Sequence, residues 1–599
     1  MISYTTVFNI VRQFGISNCL RRIVYELEKK SGITERRTPS MQWAALPLNS
    51  IYASGGPEKS EEIADYIRNN AGRYLFTPGV FPTTPSTWND KAIRRADAML
   101  DGRFLYFSKL EGKLGYPNPD WFFNPFTAQQ DRRMVHWSRR GDFDPDRGDI
   151  KFIWEPARFT WVYDLVRAYA ATGDNRYPKL FLHLIDSWIQ SNPPMIGPGW
   201  QCGQEAAIRA LSLIFGLFAF LECDCVDAPH LLQITRLIHL LGLRIENNIS
   251  YARSQRSNHS TTEATGLFVI GLLFPEMKHA PQWRKLGRRI LEHDAKNHFA
   301  DDGSYLMHSL NYQRMTMHCF QWAITLAERN HKPLSDRVYE SMKRSCEFLF
   351  QLQDETGRVP NYGSNDGALI NPLTDCDYLD FRPMLGSMFR LALGKTVYPH
   401  GPWDEERMWF SGETIDSLPE PKPPERHSTS FTTGGYFTLR SQESWAMLRC
   451  HDYRSRPSQA DQLHLDLWWR ETNLLRDGGT FQYYDPELHR NRYFISTAAH
   501  NTVEIDGKNQ MEKGPRFYWL TLAGGKLIRA DHNMVSAEHY GYRKSGIIHR
   551  RTVQIIGTDR WRIIDNIIGG NAETSWKIFF HLPNTEITCD GNSIRIELP

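Results

Sequence analysis

Polar side chains are concentrated in the segment RSQRSNHSTTEATG, which leads into the apolar stretch GLFVIGLLF of a predicted helix. Arg256, Asn258 and His259 stand at the start of that helix, where free N–H groups and the positive end of the helix dipole favour an anion. An amide and an imidazole at this place are suited to bind and neutralise a carboxylate. Helix capping is the more common role of any single such residue, so the prediction depends on the cluster as a whole.

A second polar segment, DDGSYLMHSLNYQRMTMH, begins a later predicted helix and contains Tyr312 and Arg314. A nearby cation favours ionisation of a phenol, whose pKa is otherwise about 10. We therefore predict that Tyr312 exchanges a proton with a ligand held in the same cavity as Asn258 and His259. Arg314 is predicted to lie beside the phenol.

Histidine and aspartate alternate in the predicted strand QADQLHLDLWW, so His464 and Asp466 would point to one face. The segment LLRDGGT adds Asp477, and STAAHNTVEIDG adds His500 and Asn501. Asp466, Asp477 and His500 offer the mixed oxygen and nitrogen donors that a divalent cation accepts, zinc first, with calcium and manganese as alternatives. A hydrogen-bonded His–Asp pair is the other interpretation of this strand.

Composition limits the ligands that these residues can serve. The 71 Lys and Arg against 68 Asp and Glu give the 599-residue chain a net charge of +3, which excludes a charge-driven partner such as nucleic acid. The 18 Trp, 25 Tyr and 32 Phe are more than core packing usually needs, and Trp and Tyr rings suit stacking against sugars. Nine Cys without paired C-x-x-C spacing argue against a disulfide scaffold or a zinc finger.

A helical period dominates the chain from about residue 155 to 400, in pairs of segments separated by Gly, Pro and Asn. Short turns predict antiparallel helical hairpins, and many hairpins in series must curl or close to bury their apolar stripes. Several of the helices are predicted at 203–221, 229–248, 259–274, 281–299, 312–330 and 335–352.

The period changes after the Pro-rich stretch SLPEPKPPERHSTS, which neither a helix nor a central strand could contain. Downstream, short β-branched and aromatic runs between turn residues predict an antiparallel β-sandwich. We therefore predict a mixed segment at 1–150 that packs on a helical domain at 151–410, a Pro-rich linker at 411–430 and a β-sandwich at 431–599.

No membrane insertion is predicted, because no segment reaches the ~18 uncharged apolar residues that span a bilayer, and the nearest, 210–221, is too short. Arg12, Arg21 and Arg22 interrupt the apolar residues near the N-terminus, so the given sequence lacks a secretory signal. This favours a cytoplasmic location, or a periplasmic or secreted one if the chain is processed. The sequence does not define an oligomeric state.

The order of the motifs resembles that of the heparinase II/III family of polysaccharide lyases, which share their architecture with the oligoalginate lyases. The resemblance runs from about residue 155 to 567, and its most specific parts are SNHSTTEATG, GSYLMHSLNYQRM, HLDLWW with LLRDGGT, and YFISTAAHNTVEIDGKNQ. It implies an incomplete (α/α) toroid followed by an antiparallel β-sandwich, with the active site in the cleft between them.

The resemblance also implies residue roles: Asn258 and His259 neutralise a uronate carboxylate, Tyr312 is a catalytic acid or base, and His464 is the partner base. A metal would be held by Asp466, Asp477 and His500. Members with zinc commonly carry His at the position of Asp466, so the chain departs from the pattern there. The residues predicted to bind substrate are Arg256, Glu205, Arg314, Asn361 and Asn501.

These residues predict a lyase that cleaves an acidic, uronate-containing polysaccharide or oligosaccharide by β-elimination, with a divalent metal and without an organic cofactor. Heparan sulfate, chondroitin, hyaluronan, alginate and bacterial exopolysaccharides all fit the motifs. One alternative is a glycoside hydrolase on the same helical scaffold, with Glu205 and Glu263 as its carboxylate pair. Another is a non-catalytic glycan-binding protein of polysaccharide assembly.

Overall fold

The structure is a computed structural model that describes residues 9–11, 13–141, 147–480, 482, 489–514 and 518–597. Helices dominate the chain up to residue 411, and antiparallel strands dominate it from residue 429 onward. The protein is thus an (α/α) toroid followed by antiparallel β-sheets, and the fold class predicted from the sequence is confirmed.

Short helices and one β-hairpin precede the toroid and pack on it. The indole of Trp43 donates a hydrogen bond to the Ile189 carbonyl at 2.9 Å, and the Ala53 N–H donates to the Glu276 carbonyl at 2.8 Å. Residues 1–8, 12 and 142–146 of the predicted N-terminal segment lie outside the described residues. The elements are α1 (Ile16–Lys30), α2 (Ile33–Arg37), α3 (Leu48–Ile51), α4 (Ile63–Asn70), α5 (Asp90–Leu100), β1 (Arg103–Tyr106) and β2 (Leu110–Lys113).

Most successive helices of the toroid are joined by connections of about twelve residues or fewer, which is typical of antiparallel helical hairpins. Their apolar stripes meet in one continuous core. The helices are α6 (Lys151–Ala157), α7 (Trp161–Thr172), α8 (Arg176–Ser191), α9 (Gly203–Phe220), α10 (Ala228–Glu246), α11 (Ile249–Ser254), α12 (Asn258–Leu273), α13 (Ala280–Asn297), α14 (Leu310–Arg329), α15 (Asp336–Gln351), α16 (Arg382–Leu393) and α17 (Asp404–Ser411).

Helix α9 is, in the described part of the chain, the one helix long and apolar enough to cross a membrane by length and composition. An apolar segment of that length was not predicted from the sequence. All 18 residues of α9 are buried, including Glu205 and Arg209. Its apolar composition is explained by its place in the core of the toroid, since a core helix is apolar on every side.

The apolar core continues from the helices into the first strands. The ring of Phe348, in α15, packs edge-on against Phe431 and Tyr436, with centroid distances of 4.9 and 5.0 Å. The stretch that joins the last helix of the toroid to the first strand of the β region, from Ser411 to Thr429, contains a short 3-10 turn at Ile415–Ser417. The division of the chain at 411–430 stays a prediction, although the two parts share this core.

Two antiparallel sheets face each other in the β region, with strand orders β3-β4-β5-β6-β7 and β12-β11-β10-β9. Leu439 and Leu448 from the first sheet share an apolar cluster with Val535 and Val553 from the second, so the two sheets form a sandwich. The elements are β3 (Thr429–Phe431), β4 (Tyr436–Arg440), β5 (Ser444–Arg449), β6 (Leu465–Trp469), β7 (Thr472–Leu475), α18 (His489–Phe494), β8 (Val503–Ile505), β9 (Gly525–Ala530), β10 (Met534–His539), β11 (Ile547–Gly557), β12 (Arg560–Gly569), β13 (Trp576–Ile578), β14 (Ile587–Asp590) and β15 (Ser593–Ile596).

Candidate active site

Three long helices of the toroid, α9, α12 and α14, bring their first turns together at one end of the ring. The side-chain amide of Gln204 donates to Thr262 Oγ1 at 3.3 Å and so joins α9 to α12. The amide of Asn258 lies 3.3 Å from Met315 Sδ and joins α12 to α14. The positive ends of three helix dipoles therefore meet at one place, which favours an anionic ligand.

Asn258 is the first residue of α12 and is only 3% exposed. Its backbone N–H points to Met307 Sδ and its side-chain amide to Met315 Sδ, both at 3.3 Å. Thioether sulfur is a weak acceptor, so a ligand carboxylate would be a much better partner for these donors. The local structure thus suits Asn258 to the predicted carboxylate binding.

Tyr312 is positioned by a cap at the start of α14. The Ser309 hydroxyl accepts a hydrogen bond from the Tyr312 N–H at 3.1 Å and donates one to the Ser364 carbonyl at 2.6 Å. Met315 follows Tyr312 by three residues and lies on the same side of the helix, and its sulfur contacts Asn258. The structure therefore brings Tyr312 and Asn258 to facing first turns, as the motifs predicted.

His259 follows Asn258 and is partly buried, with its Nδ1 4.0 Å from Cys202 Sγ. Burial lowers the pKa of His259 to about 4, and the charges of Arg456 and Lys151 add to this effect against the opposing charge of Glu205. The imidazole is therefore neutral at physiological pH. His259 can donate or accept a hydrogen bond, but it does not supply positive charge to the site.

Positive charge near His259 comes instead from Arg456 and Lys151, which the sequence analysis did not identify. Arg456 lies in the loop between β5 and β6 and donates to the Gln255 carbonyl at 2.6 Å. Lys151 begins α6 and forms an ion pair with Asp366. The sequence signal for Arg456 was weak, because SRPSQAD has no periodic pattern and only its place just before HLDLWW pointed to the site.

The loop at 450–464 connects the β-sandwich to this end of the toroid. The Ser458 hydroxyl donates to the Met307 carbonyl at 3.0 Å. The hydroxyls of Tyr453 and Tyr362 lie 3.3 Å apart, and the Tyr362 carbonyl accepts from the N–H of Leu310, the first residue of α14, at 3.2 Å. Both parts of the protein therefore contribute to the cleft that the resemblance implied.

Asn361 lies where the toroid meets the loop that follows β7. Its side-chain oxygen accepts from Asn365 Nδ2 at 2.8 Å. Gly479 has a φ of +76°, and a Cβ added to it would lie 3.0 Å from Asn361 Nδ2. The main chain at Gly479 thus approaches Asn361 closely at the junction of the two parts of the protein, where the amide was predicted to meet substrate.

His464, Asp466, Asp477 and His500 form a fully buried cluster in the β-sandwich. His464 Nε2 lies 2.9 Å from Asp466 Oδ2 and 3.7 Å from Asp477 Oδ2, and His500 Nδ1 lies 2.9 Å from Asp477 Oδ2. The other oxygens of the two aspartates accept hydrogen bonds from the side chain of Asn473 and the N–H of Gly479. The sequence motifs thus meet in space as predicted.

The geometry brings a second set of possible metal ligands together. Ligand atoms of His464, Asp477 and His500 all lie within 4.8 Å of one another, and Asp466 contacts His464 and Asn473. Among the described residues, His500 Nε2 is buried without a hydrogen-bond partner. Two imidazoles and a carboxylate with one unpaired nitrogen fit a zinc-like ion, and the set of Asp466, Asp477 and His500 predicted from the sequence stays a prediction.

Both ring nitrogens of His464 have protein partners, and its role as the partner base stays a prediction. The Asn501 N–H donates to Nδ1 at 3.0 Å, and Nε2 faces Asp466. Burial alone lowers the pKa of His464, but the hydrogen bond to Asp466 and the charge of Asp477 outweigh burial and raise it. A substrate or a metal ion that binds His464 would therefore have to replace one of these two contacts.

Asn501 is a structural residue and not the substrate-binding residue that the sequence predicted. It is fully buried, and its side-chain amide donates to the carbonyls of Leu465 and Arg476 at 2.9 and 3.0 Å. Its side-chain oxygen accepts from the His581 N–H at 2.6 Å. With all its polar atoms used, Asn501 fixes the backbone that holds His464.

We expect Asn501→Ala to lower the free energy of unfolding by about 2–4 kcal/mol, because it leaves two carbonyls and one N–H buried without partners. Guanidinium unfolding followed by tryptophan fluorescence measures the change. Asn297→Ala, at an exposed position of α13, is the control and should change it little. A raised KM with unchanged stability would instead support substrate binding by Asn501.

Two predicted substrate-binding arginines also have structural partners. Arg256 donates to the Gln13 carbonyl at 3.2 Å and so ties the N-terminal segment to the toroid. The guanidinium of Arg314 is buried and lies 4.3 Å over the ring of Tyr378, whose carbonyl it also contacts. Residues two apart on a helix point to different sides, so Arg314 does not share the face that Tyr312 presents.

The carboxylate pair of the glycoside hydrolase alternative is not available for acid–base catalysis. Glu205 is held by a bidentate ion pair with Arg158, at 2.6 and 2.9 Å, which also contradicts its predicted substrate binding. Glu263 is fully buried, and its Oε1 accepts from the Asn248 amide at 2.7 Å. Burial raises the pKa of Glu263 to about 8, so it is mostly a neutral acid at neutral pH.

The fold and the site together define a toroid protein whose anion-binding end is closed by a β-sandwich. Two family models match the chain: the heparinase II/III N-terminus over residues 83–367, and the heparinase II/III-like C-terminal domain over residues 423–599. The chain belongs to the heparinase II/III family, and the resemblance given by the motifs is confirmed.

Curated relatives include heparin-sulfate lyases. The one from Bacteroides thetaiotaomicron is 23% identical over 499 residues, which are 79% of this chain and 65% of the relative. The one from Pedobacter heparinus is 21% identical over 474 residues, 75% of this chain and 67% of the relative. The chain therefore spans about two thirds of the length of these relatives.

Solved structures show the same fold. The crystal structure of heparinase III superposes with a TM-score of 0.65 at 20% sequence identity, over 90% of this chain and 82% of the heparinase III chain. The crystal structure of heparan sulfate lyase from Pedobacter heparinus superposes with a TM-score of 0.51 at 16% identity, over 88% of this chain and 79% of the lyase chain.

Proposed function

We propose that this protein is a polysaccharide lyase that cleaves a uronate-containing glycan of the glycosaminoglycan class by β-elimination. The observation that carries the proposal is the meeting of three helix N-termini, with Asn258 and Tyr312 on facing first turns. The family and the names of the curated heparin-sulfate lyases support it. Neither the hydrolase nor the non-catalytic alternative has comparable support.

The reaction removes the C5 proton of a uronate and expels the oxygen on C4. Asn258 donates to the uronate carboxylate, and the three helix N-termini add positive potential, so the negative charge that develops on the carboxylate is stabilised. Arg456 and Lys151 add positive charge on the side of His259. Such preorganised donors favour the transition state over the bound substrate.

Tyr312 handles the proton. As the phenolate it accepts the C5 proton, and the electrons of the C–H bond form the C4–C5 double bond as the C4–O bond breaks. The phenol then donates its proton to the departing oxygen, which regenerates the phenolate. One side chain thus serves both as base and as acid, so this scheme requires no proton transfer by His464.

The proposal is tested by incubating the protein with heparan sulfate, chondroitin sulfate, hyaluronan and alginate and following the ultraviolet absorbance of the unsaturated uronate. New reducing ends without this absorbance would show hydrolysis. Binding without any product at high protein concentration would show a non-catalytic glycan-binding protein. The polymer that gives the highest kcat/KM identifies the substrate.

We also propose that His464, Asp477 and His500 hold a divalent cation, with zinc as the first choice. When bound, the ion supplies positive charge that compensates the buried carboxylates. His464 would bind the ion through Nε2, which lies 3.7 Å from Asp477 Oδ2, and would give up its contact with Asp466. The cluster lies wholly inside the β-sandwich, so its main effect is on stability.

Removing the ion with a chelator should lower the thermal midpoint, and adding zinc should restore it. At a free zinc concentration one hundred times Kd, zinc should raise the free energy of unfolding by about 2.7 kcal/mol. Metal content by mass spectrometry and thermal unfolding measure both effects. His500→Ala and Asp477→Asn should lose the ion, whereas Asp466→Asn should keep it. Loss of the ion in Asp466→Asn would restore the ligand set predicted from the sequence.

A further inference from the structure

Helix α1 carries a row of exposed aliphatic side chains. Their exposures lie between 52% and 67%, and their spacing places them on one side of the helix. They amount to on the order of 500 Å² of contiguous apolar surface, a size that marks an interaction site on a soluble protein. This row, the α1 stripe, consists of Ile16, Leu20, Ile23, Val24 and Leu27.

The opposite side of α1 fixes the helix to the toroid. Tyr25 is buried, its ring lies 4.9 Å from that of Tyr251, and its hydroxyl donates to Asn248 Oδ1 at 3.3 Å. The guanidinium of Arg22 lies 4.4 Å over the Tyr251 ring. Before the helix, the Gln13 amide donates to the Trp519 carbonyl at 3.0 Å. The α1 stripe is therefore a preorganised surface that faces outward.

We propose that the α1 stripe binds the α1 stripe of a second copy of this chain, with the two helices antiparallel about a twofold axis. Such an axis brings the same patch of both copies together. If it passes between Ile23 and Val24, Leu20 of one copy lies opposite Leu27 of the other. Every side chain in the middle of the stripe then has an apolar partner, so the pattern is self-complementary.

The charges beside the stripe favour a second copy in this orientation. Arg21 and Glu28 lie along the same edge of the stripe, about 20° apart around the helix. An antiparallel twofold pairs Arg21 of each copy with Glu28 of the other, at two symmetric places. A parallel pair would instead bring Glu28 close to Glu26, which lies along the other edge.

In the described part of the chain, neither Arg21 nor Glu28 pairs with a buried charged group. Arg21 donates to the neutral side chain of Asn18 at 2.6 Å. Glu28 pairs with Arg37 at 2.9 Å, and the Arg37 side chain is 56% exposed. Such exposed contacts contribute little to stability. Both side chains can therefore turn toward a second copy at little cost.

Cysteine cross-linking tests the orientation, in a background where Cys19 and Cys589 are replaced by Ser. Ile23→Cys should cross-link with itself on oxidation, because residue 23 lies beside the axis. Leu20→Cys and Leu27→Cys lie about 10 Å from their own mates, beyond the reach of a disulfide. Each of these two variants alone should stay uncross-linked, and a mixture of the two should form a disulfide-linked dimer. Efficient cross-linking of all three alone would overturn the antiparallel arrangement.

Sedimentation of the full chain tests the partner itself. We expect a dimer that Leu20→Glu converts to a monomer, with unchanged circular dichroism because position 20 is exposed. Arg21→Glu and Glu28→Arg should each raise the dimer Kd at least about tenfold through two like-charge contacts, and the double variant should restore it. Ile564→Glu, at an exposed isoleucine of β12, is the matched control and should leave the dimer intact.

Three results would overturn the proposal. They are a monomer at all concentrations, a dimer that survives Leu20→Glu, and a charge-swapped double variant that fails to recover. In each case, flotation with anionic lipid vesicles would show whether the α1 stripe binds a membrane surface instead. All these readouts are independent of catalysis, so they do not depend on the proposed lyase activity.

Discussion

Tyr312→Phe should lower kcat for glycan cleavage by about 10²–10⁴-fold, with little change in KM. The phenol oxygen is the proposed proton carrier, and a positioned acid or base contributes a factor of this size. The ring itself remains, so packing at the start of α14 and glycan contact are kept. Steady-state absorbance of the unsaturated product, on the best substrate of the panel, measures both constants.

The matched control is Tyr163→Phe, which also removes a phenol oxygen from a buried toroid tyrosine. The Tyr163 ring packs 4.7 Å from that of Phe215. Phe215 lies roughly 17 Å along the axis of α9 from Gln204, in the first turn. We expect this variant to keep its full kcat. If Tyr312→Phe kept it as well, another group would have to carry the proton.

Asn258→Ala should lower kcat/KM by about 10²–10³-fold, the usual cost of removing one donor that stabilises developing negative charge. The amide now contacts only a thioether, so its loss should cost little stability, and the effect should appear in catalysis. Asn258→Asp should be more severe, because a second carboxylate at the same place repels that of the uronate.

Exposed Asn297→Ala serves as the control for the loss of an amide. Thermal unfolding of both Asn258 variants shows whether the fold is kept. An Asn258→Asp variant as active as Asn258→Ala would contradict carboxylate binding at this residue, because the added charge would then be without effect.

The helices could be predicted from the sequence because their signal is local. The predictions of 203–221, 259–274 and 312–330 correspond to α9 (Gly203–Phe220), α12 (Asn258–Leu273) and α14 (Leu310–Arg329). Apolar spacing and turn residues within each segment were sufficient. The motifs at the helix starts could then be placed correctly, with Asn258 and Tyr312 in the first turns.

Roles that depend on distant partners could not be predicted. Residue type marked Glu205 and Asn501 as polar groups near a ligand, but their partners, Arg158 and the His581 backbone, lie 47 and 80 residues away in sequence. Strand alternation correctly placed His464 beside Asp466. It could not show that the folded loop after β7 brings Asp477 and His500 to His464.

In the proposed site, much of the attraction for an anion would come from main-chain dipoles. A substitution can remove an arginine or an amide, but it cannot remove the dipole of a helix that still folds. Under the proposed function, descendants of this chain that keep α9, α12 and α14 would therefore inherit a basal affinity for acidic sugars. Substrate preference can diverge through surrounding side chains such as Arg456, Lys151 and Asn361, while the ability to hold a carboxylate is preserved by the architecture itself.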